Sequence, residues 1–158
     1  MWKKIKPYVV SVLIALAVGG LSAWLTMDSM DIYSSINQPA LAPPAWLFPV
    51  VWGILFVLMG ISAALVYTDK YASPKEKASA LKVYAIQLIV NFFWSLIFFN
   101  LRNYLFAFIW LILLWVLILI MIVKFYKIRP VSGLLQIPYL LWVTFAGYLN
   151  VMIFLLNR

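Results

Sequence analysis

Residues 39–60 read P-A-L-A-P-P-A-W-L-F-P-V-V-W-G-I-L-F-V-L-M-G, a proline-laden loop that turns directly into an apolar helix. Pro39, Pro43 and Pro44 fix φ and push the residues before them toward extended backbone, so no continuous helix can precede Ala45. Pro44 suits the first turn of the helix that follows. Trp46, Phe48 and Trp52 then stand at the helix entrance, where amphipathic rings favour a membrane–water boundary. The stretch reads as the lid and rim of a ligand pocket.

The rest of the composition fits a membrane setting. Of 158 residues, 67% are hydrophobic and only 10% are charged, against roughly 25% charged in an ordinary soluble domain. The chain has no Cys and no His, which argues against disulfides, thiol nucleophiles, Cys/His zinc sites and the usual axial haem ligand. No metal site is expected. The net charge of +8 lies in short flanks rather than in a stripe along a groove, so no nucleic-acid partner is expected. Anionic lipid headgroups of the bilayer account for it better.

Five apolar runs follow in order, and the reading is an all-α integral membrane protein, a single domain over 1–158 formed by a five-transmembrane-helix bundle. The expected spans are about 8–27, 45–67, 79–100, 104–125 and 131–156, with Ser73-Pro74 leading into the third and Pro138 as a kink in the fifth. Residues 28–44 form a ligand-lid loop, too long for a minimal helix connection. Leu21-Ser22-Ala23 resembles a signal-peptidase site, but the run before it exceeds the roughly 7–15 apolar residues of a signal peptide, so the first span is expected to be retained. Ala15, Gly19 and Ala23, like Gly60 and Ala64, are spaced for close helix approach, within the chain or between copies.

Charge sets the orientation. Lys3, Lys4, Lys6, Lys70, Lys75, Lys77, Lys82, Lys124, Lys127 and Arg129 fall on the N-terminal side, and Arg102 and Arg158 on the other. By the positive-inside rule the N-terminus is cytoplasmic, the C-terminus and the lid lie outside, and the plasma membrane is the expected location.

Two spans carry a patterned face. Gln87, Asn91 and Ser95 recur every four residues in the third span, beside Trp94 and Phe98. Polar side chains in hydrocarbon must find partners, so Gln87 and Ser95 read first as interhelical hydrogen bonders, while for Asn91 that reading and pocket lining weigh equally. In the fifth span Trp142, Phe145, Ala146, Leu149 and Asn150 share one face, with a small residue recessed between aromatics. Aromatic stripes of this kind usually pack against neighbouring helices, but the coincidence with the third-span stripe points to a shared cavity. No span carries a central Asp, Glu, Lys or Arg, which argues against an ion-coupled transporter, and all four carboxylates lie in connections, which leaves no acid/base pair. What remains suits a large, flat, poorly soluble molecule.

These residues carry a resemblance. Pro39 with Pro43-Pro44-Ala45-Trp46-Leu47-Phe48-Pro49-Val50-Val51-Trp52, Gln87-Leu88 with Asn91 and Trp94-Ser95, and Pro138-Tyr139 with Trp142, Phe145-Ala146 and Leu149-Asn150 resemble the translocator protein family, also called peripheral benzodiazepine receptor or tryptophan-rich sensory protein. The eight tryptophans and the lack of His and Cys resemble a bacterial member. The resemblance implies a homodimeric membrane receptor whose cavity binds porphyrins such as protoporphyrin IX and synthetic isoquinoline carboxamides or benzodiazepines. No cofactor is implied, the porphyrin being ligand or substrate. By position, Tyr33 and Pro43 would belong to the lid, and Trp46, Trp52, Asn91, Trp94, Phe98, Trp142, Phe145 and Ala146 to the binding site. The resemblance also implies two alternatives: light- and oxygen-dependent porphyrin breakdown with Trp52 and Trp142 in the catalytic roles, and tetrapyrrole or lipid transport or stress signalling. Val151 stands where the family's sterol motif needs Tyr, which counts against sterol binding through that motif.

Overall fold

The computed structural model describes residues 1–29 and 31–158, so Met30, inside the expected lid, lies outside the described residues, as does the side chain of Ile32. Every regular element among the described residues is helical. They are α1 (Trp2–Thr26, continued by a 3₁₀ turn at Met27–Ser29), α2 (Asp31–Ser35), α3 (Leu47–Tyr67), α4 (Pro74–Ser95, continued by a π turn at Leu96–Asn100), α5 (Tyr104–Ile128), α6 (Pro130–Leu134) and α7 (Ile137–Leu156). Five segments are long and apolar enough to cross a membrane, α6 and α7 together forming the last. α1 packs on α3 and α4, α5 packs on α4 and α7, and α3 meets α6.

The boundaries differ from the sequence expectation for identifiable reasons. α1 begins at Trp2, so Lys3, Lys4 and Lys6 ride on its first turns rather than ahead of it, and Pro7 is accommodated early in the helix. α3 begins at Leu47, two residues later than expected: Pro44, Ala45 and Trp46 form a turn in which Leu47 N donates to Pro44 O at 3.0 Å. The proline in its first turn is Pro49, whose missing N–H would have had no intrahelical partner. α4 begins at Pro74 because Ser73 and Glu76 form a reciprocal cap: Glu76 N donates to Ser73 Oγ and Ser73 Oγ donates to Glu76 Oε1, both at 3.1 Å. In the fifth span the helix breaks at Leu135–Gln136 and restarts with Pro138 near its N-terminus, so the proline marks an interruption and not a kink within a continuous helix.

The small-residue stripes are used within the chain. Gly60 lies against the backbone of Val12, where a Cβ would meet Val12 Cα at 2.5 Å, and Gly19 faces the ring of Phe56. Ala15 is fully buried beside them. The Gly60–Val12 contact draws α1 onto α3 on the side of the bundle that carries the N-terminal lysines.

Candidate functional site

At the other end α1 and α3 part around a cavity of about 290 Å³, near the lower limit of small-molecule sites at roughly 300 Å³. Four helices line it: α1 with Gly19, Ser22, Ala23 and Thr26; α3 with Phe48, Pro49, Trp52 and Phe56; α4 with Asn91, Trp94, Ser95 and Phe98; and α7 with Trp142, Ala146, Leu149, Asn150 and Ile153. Tyr33 of α2 closes it from the lid, and Phe99 and Met27 complete the wall.

The wall is stiff because its aromatics brace one another. Tyr33 meets Phe48 edge-on at 5.1 Å, and Phe48 meets Trp142 at 6.0 Å. Trp52 leans on Phe56 at 5.7 Å and on Tyr139 at 6.1 Å, and Trp94 stacks on Phe98 at 5.2 Å. Hydrogen bonds set the remaining orientations. Trp94 Nε1 donates to Asn150 Oδ1 at 3.1 Å while Asn150 Nδ2 donates to Tyr104 O at 2.7 Å, so α4, α5 and α7 are tied through one amide. Asn91 Nδ2 donates to Tyr139 Oη at 2.7 Å. Trp142 differs from these: the residue lines the cavity, while its Nε1 is buried without a partner among the described residues.

The lid is fastened to the far end of α7. Asn37 N donates to Asn157 Oδ1 at 3.0 Å, and Asn157 Nδ2 donates back to Asn37 O at 2.8 Å, a reciprocal clasp across 120 residues. Tyr148 Oη donates to Ala40 O at 2.7 Å, and Tyr33 Oη donates to Pro43 O at 2.9 Å. Gln38 Nε2 donates to Tyr33 O. Leu41 takes a left-handed backbone with φ 71°, an uncommon state for a side chain of this size, held between the clasp and the prolines.

The structure brings Tyr33, Trp52, Asn91, Trp94, Phe98, Trp142 and Ala146 together on this cavity. It leaves three expected residues off the wall. Trp46 belongs to the turn before α3 and is 67% exposed, because its direction is set by that turn and not by the helical period. Phe145 lies behind Trp142, packed between it and Tyr148. Pro43 is buried and meets the site through its carbonyl, which orients Tyr33. Among the two stripe residues read first as glue, Gln87 does bond Tyr139, whereas Ser95 lines the cavity. Sequence reasoning missed the α1 wall and Phe56. Ser22 and Thr26, a polar pair four apart in a mostly apolar span, were the available signal; so was Phe56, one turn beyond Trp52.

The comparisons with known proteins agree with this architecture. The profile of the TspO/MBR family matches residues 11–156. The chain is 35% identical to "Tryptophan-rich protein TspO" of Chlorobaculum tepidum over 158 residues, 99% of both chains. It is 41% identical to "Protein CrtK" of Rhodobacter capsulatus over 126 residues, 79% of this chain and 78% of that one. It is 31% identical to the "Translocator protein" of Bos taurus over 118 residues, 75% of this chain and 70% of that one. With five apolar helices and a family profile that spans nearly its whole length, this chain belongs to the TspO/MBR family of multi-pass membrane proteins.

Proposed function

We propose that the protein is a membrane receptor for porphyrins and related flat hydrophobic molecules, bound in the cavity beneath the lid. The observation that carries this reading is the convergence of Trp52, Trp94 and Trp142 from three helices on one apolar volume. Ring faces supply stacking area, and the few polar groups on the wall, Ser22 and Ser95 among them, suit a ligand that carries a carboxylate, carbonyl or ring nitrogen. The basic residues at the lysine-bearing end support a cytoplasmic N-terminus in a plasma membrane, with the lid and C-terminus outside; a reporter fused after Arg158 and active only in the cytoplasm would contradict that orientation.

A second reading has one observation in its favour: two oxidisable indoles, Trp52 and Trp142, stand on the same wall. An indole beside a light-excited porphyrin can give up an electron, with dioxygen as the terminal oxidant. One experiment tests both readings. Protoporphyrin IX titrated against intrinsic tryptophan fluorescence in nanodiscs gives saturable quenching if the receptor reading is right, and none if it is wrong. The same samples, illuminated in air, lose porphyrin absorbance faster with wild type than with Trp52→Phe or Trp142→Phe if the indoles take part; equal rates leave binding alone.

A further inference from the structure

The lid has two halves of different chemistry. Before Pro39 it carries Ser34, Ser35, Asn37 and Gln38. From Pro39 to Pro49 it reads P-A-L-A-P-P-A-W-L-F-P, with no charged, amide or hydroxyl side chain, and no charged residue stands between Asp31 and Asp69. On this apolar half the large side chains turn outward: Leu41 is 81% exposed and Trp46 67%. A left-handed turn position in water favours Gly or Asn, whereas Leu41 fits apolar surroundings.

Contacts with α7 set the depth of each half. Asn37 is clasped to Asn157 at the end of α7, Ala40 O accepts from Tyr148, and Phe48 meets the Trp142 ring. At 1.5 Å of rise per residue, Tyr148 lies about 13 Å below Asn157 and Trp142 about 9 Å further down. α5 runs alongside in the opposite direction and marks where apolar surface begins. Asn150 Nδ2 donates to the carbonyl of Tyr104, the first residue of α5, and a Cβ at Gly147 would lie 3.8 Å from Leu111 and 4.0 Å from Phe108. Tyr148 is therefore level with residues a turn or more inside α5, where Leu105, Phe106 and Ile109 face outward. Helical side chains lean toward the N-terminus, and the Tyr148 ring stacks on Phe145 below it, so the bond to Ala40 is made at that level or deeper.

We propose that residues 39–46 are seated in the acyl chains of the lid-side leaflet, with Leu41 and Trp46 facing lipid. α7 and α3, which the segment joins by contact and by sequence, present Leu141, Val50 and Ile54 outward in the same way. Irregular backbone is tolerated in hydrocarbon only where its polar groups are engaged. Here Pro39, Pro43 and Pro44 bring no N–H, and the carbonyls of Pro39, Ala40, Pro43, Pro44 and Ala45 accept from Ala42 N, Tyr148 Oη, Tyr33 Oη, Leu47 N and Phe48 N. The prolines thus suit the segment to lipid as well as stiffening it. Tyr33, which Pro43 holds, and Phe48, which follows the segment, line the cavity. A cavity covered in this way opens toward the leaflet, where a flat hydrophobic guest is concentrated; that consequence rests on the receptor reading, and the seat itself does not.

The chain has no Cys, so a single introduced Cys carries the only nitroxide label. Leu41→Cys and Trp46→Cys, spin-labelled in phosphatidylcholine nanodiscs without porphyrin, are compared with Ile109→Cys on the outward face of α5 and Tyr71→Cys in the exposed turn between α3 and α4. Relaxation is read with dioxygen, which partitions into acyl chains, and with a water-soluble nickel chelate. The dioxygen-to-nickel ratio at both lid positions should match that of Ile109 and exceed that of Tyr71 several-fold. A ratio nearer to that of Tyr71 overturns the proposal. So does protection from both reagents, the result expected if a second copy of the chain covers the segment. Should Leu41→Cys fail to fold, Trp46→Cys decides alone. Porphyrin quenching is measured separately, so failure of the seat and failure of the receptor reading are told apart.

Discussion

The two ends of the α1–α3 pair differ in what stands between the backbones. At the lysine-bearing end Gly60 sits on Val12 with no room for a methyl group, and Ala15 and Met59 are fully buried around the contact. Toward the lid the same helices carry Gly19 against the Phe56 ring, then Ser22, Ala23 and Thr26 across an open volume from Trp52 and Phe48. Apolar side chains are plentiful at both ends, so hydrophobicity does not separate them. Residue size at the seam does: a glycine lets the backbones touch, and braced aromatic rings hold them apart. A cavity in this bundle is therefore a property of rigid spacers, with the glycine contact acting as the pivot that closes the opposite end.

The contrast breaks most severely at the pivot. Gly60→Leu forces α1 off α3 where backbone meets backbone; overpacking of this kind costs at least about 3 kcal/mol, which lowers the thermal midpoint in nanodiscs by roughly 10 °C. An unchanged midpoint would show that the seam is not close-packed. The lid end answers more mildly. Asn157→Ala removes both halves of the clasp to Asn37, worth about 1 kcal/mol for two exposed neutral hydrogen bonds, and amide hydrogen exchange in residues 33–45 should quicken several-fold while α3 and α4 exchange as before. Exchange that is unaltered in 33–45 would mean that Tyr148 and the prolines hold the lid without Asn157.

The smallest effect belongs to a turn outside the membrane. Asp69 accepts from the backbone N–H groups of Ala72 at 2.8 Å and Tyr71 at 2.9 Å, and these bonds hold its carboxyl below the usual carboxylate range. A depressed folded-state pKa stabilises the fold above the ordinary value near 3.9, and the gain is lost as pH falls through the lower folded value. Wild type should exceed Asp69→Asn in thermal midpoint by a constant margin above about pH 4, and the margin should shrink below it. A margin independent of pH down to 2 would assign the turn's stability to something other than the charge.

Much of this was legible from residue types and spacing. Five apolar runs separated by charged or Asn-rich turns gave the spans, and the 3.6-residue period placed Asn91 with Trp94 and Trp142 with Ala146 on inward faces. What escaped followed from contacts that period does not encode. Trp46 precedes the helix whose register would have aimed it, so its exposure is decided by the Pro44 turn. Gly19 and Ala23 read as packing because small residues look alike whether they touch a helix or border a void. Asn37 and Asn157 are 120 residues apart, a separation no local pattern spans.

The central claim is that the aromatic spacers frame a binding volume and are not merely core. Ala146 is the recess among them, lining the cavity from α7 between Trp142 and Asn150. Ala146→Phe places a ring in that volume without touching the Gly60 pivot. Titrated with protoporphyrin IX, wild type should show saturable quenching, and Ala146→Phe should bind at least tenfold more weakly with a thermal midpoint within about 2 °C of wild type, a stability change below 1 kcal/mol. Equal affinity in a variant of unchanged midpoint would contradict the account, because the ligand would then be bound somewhere else.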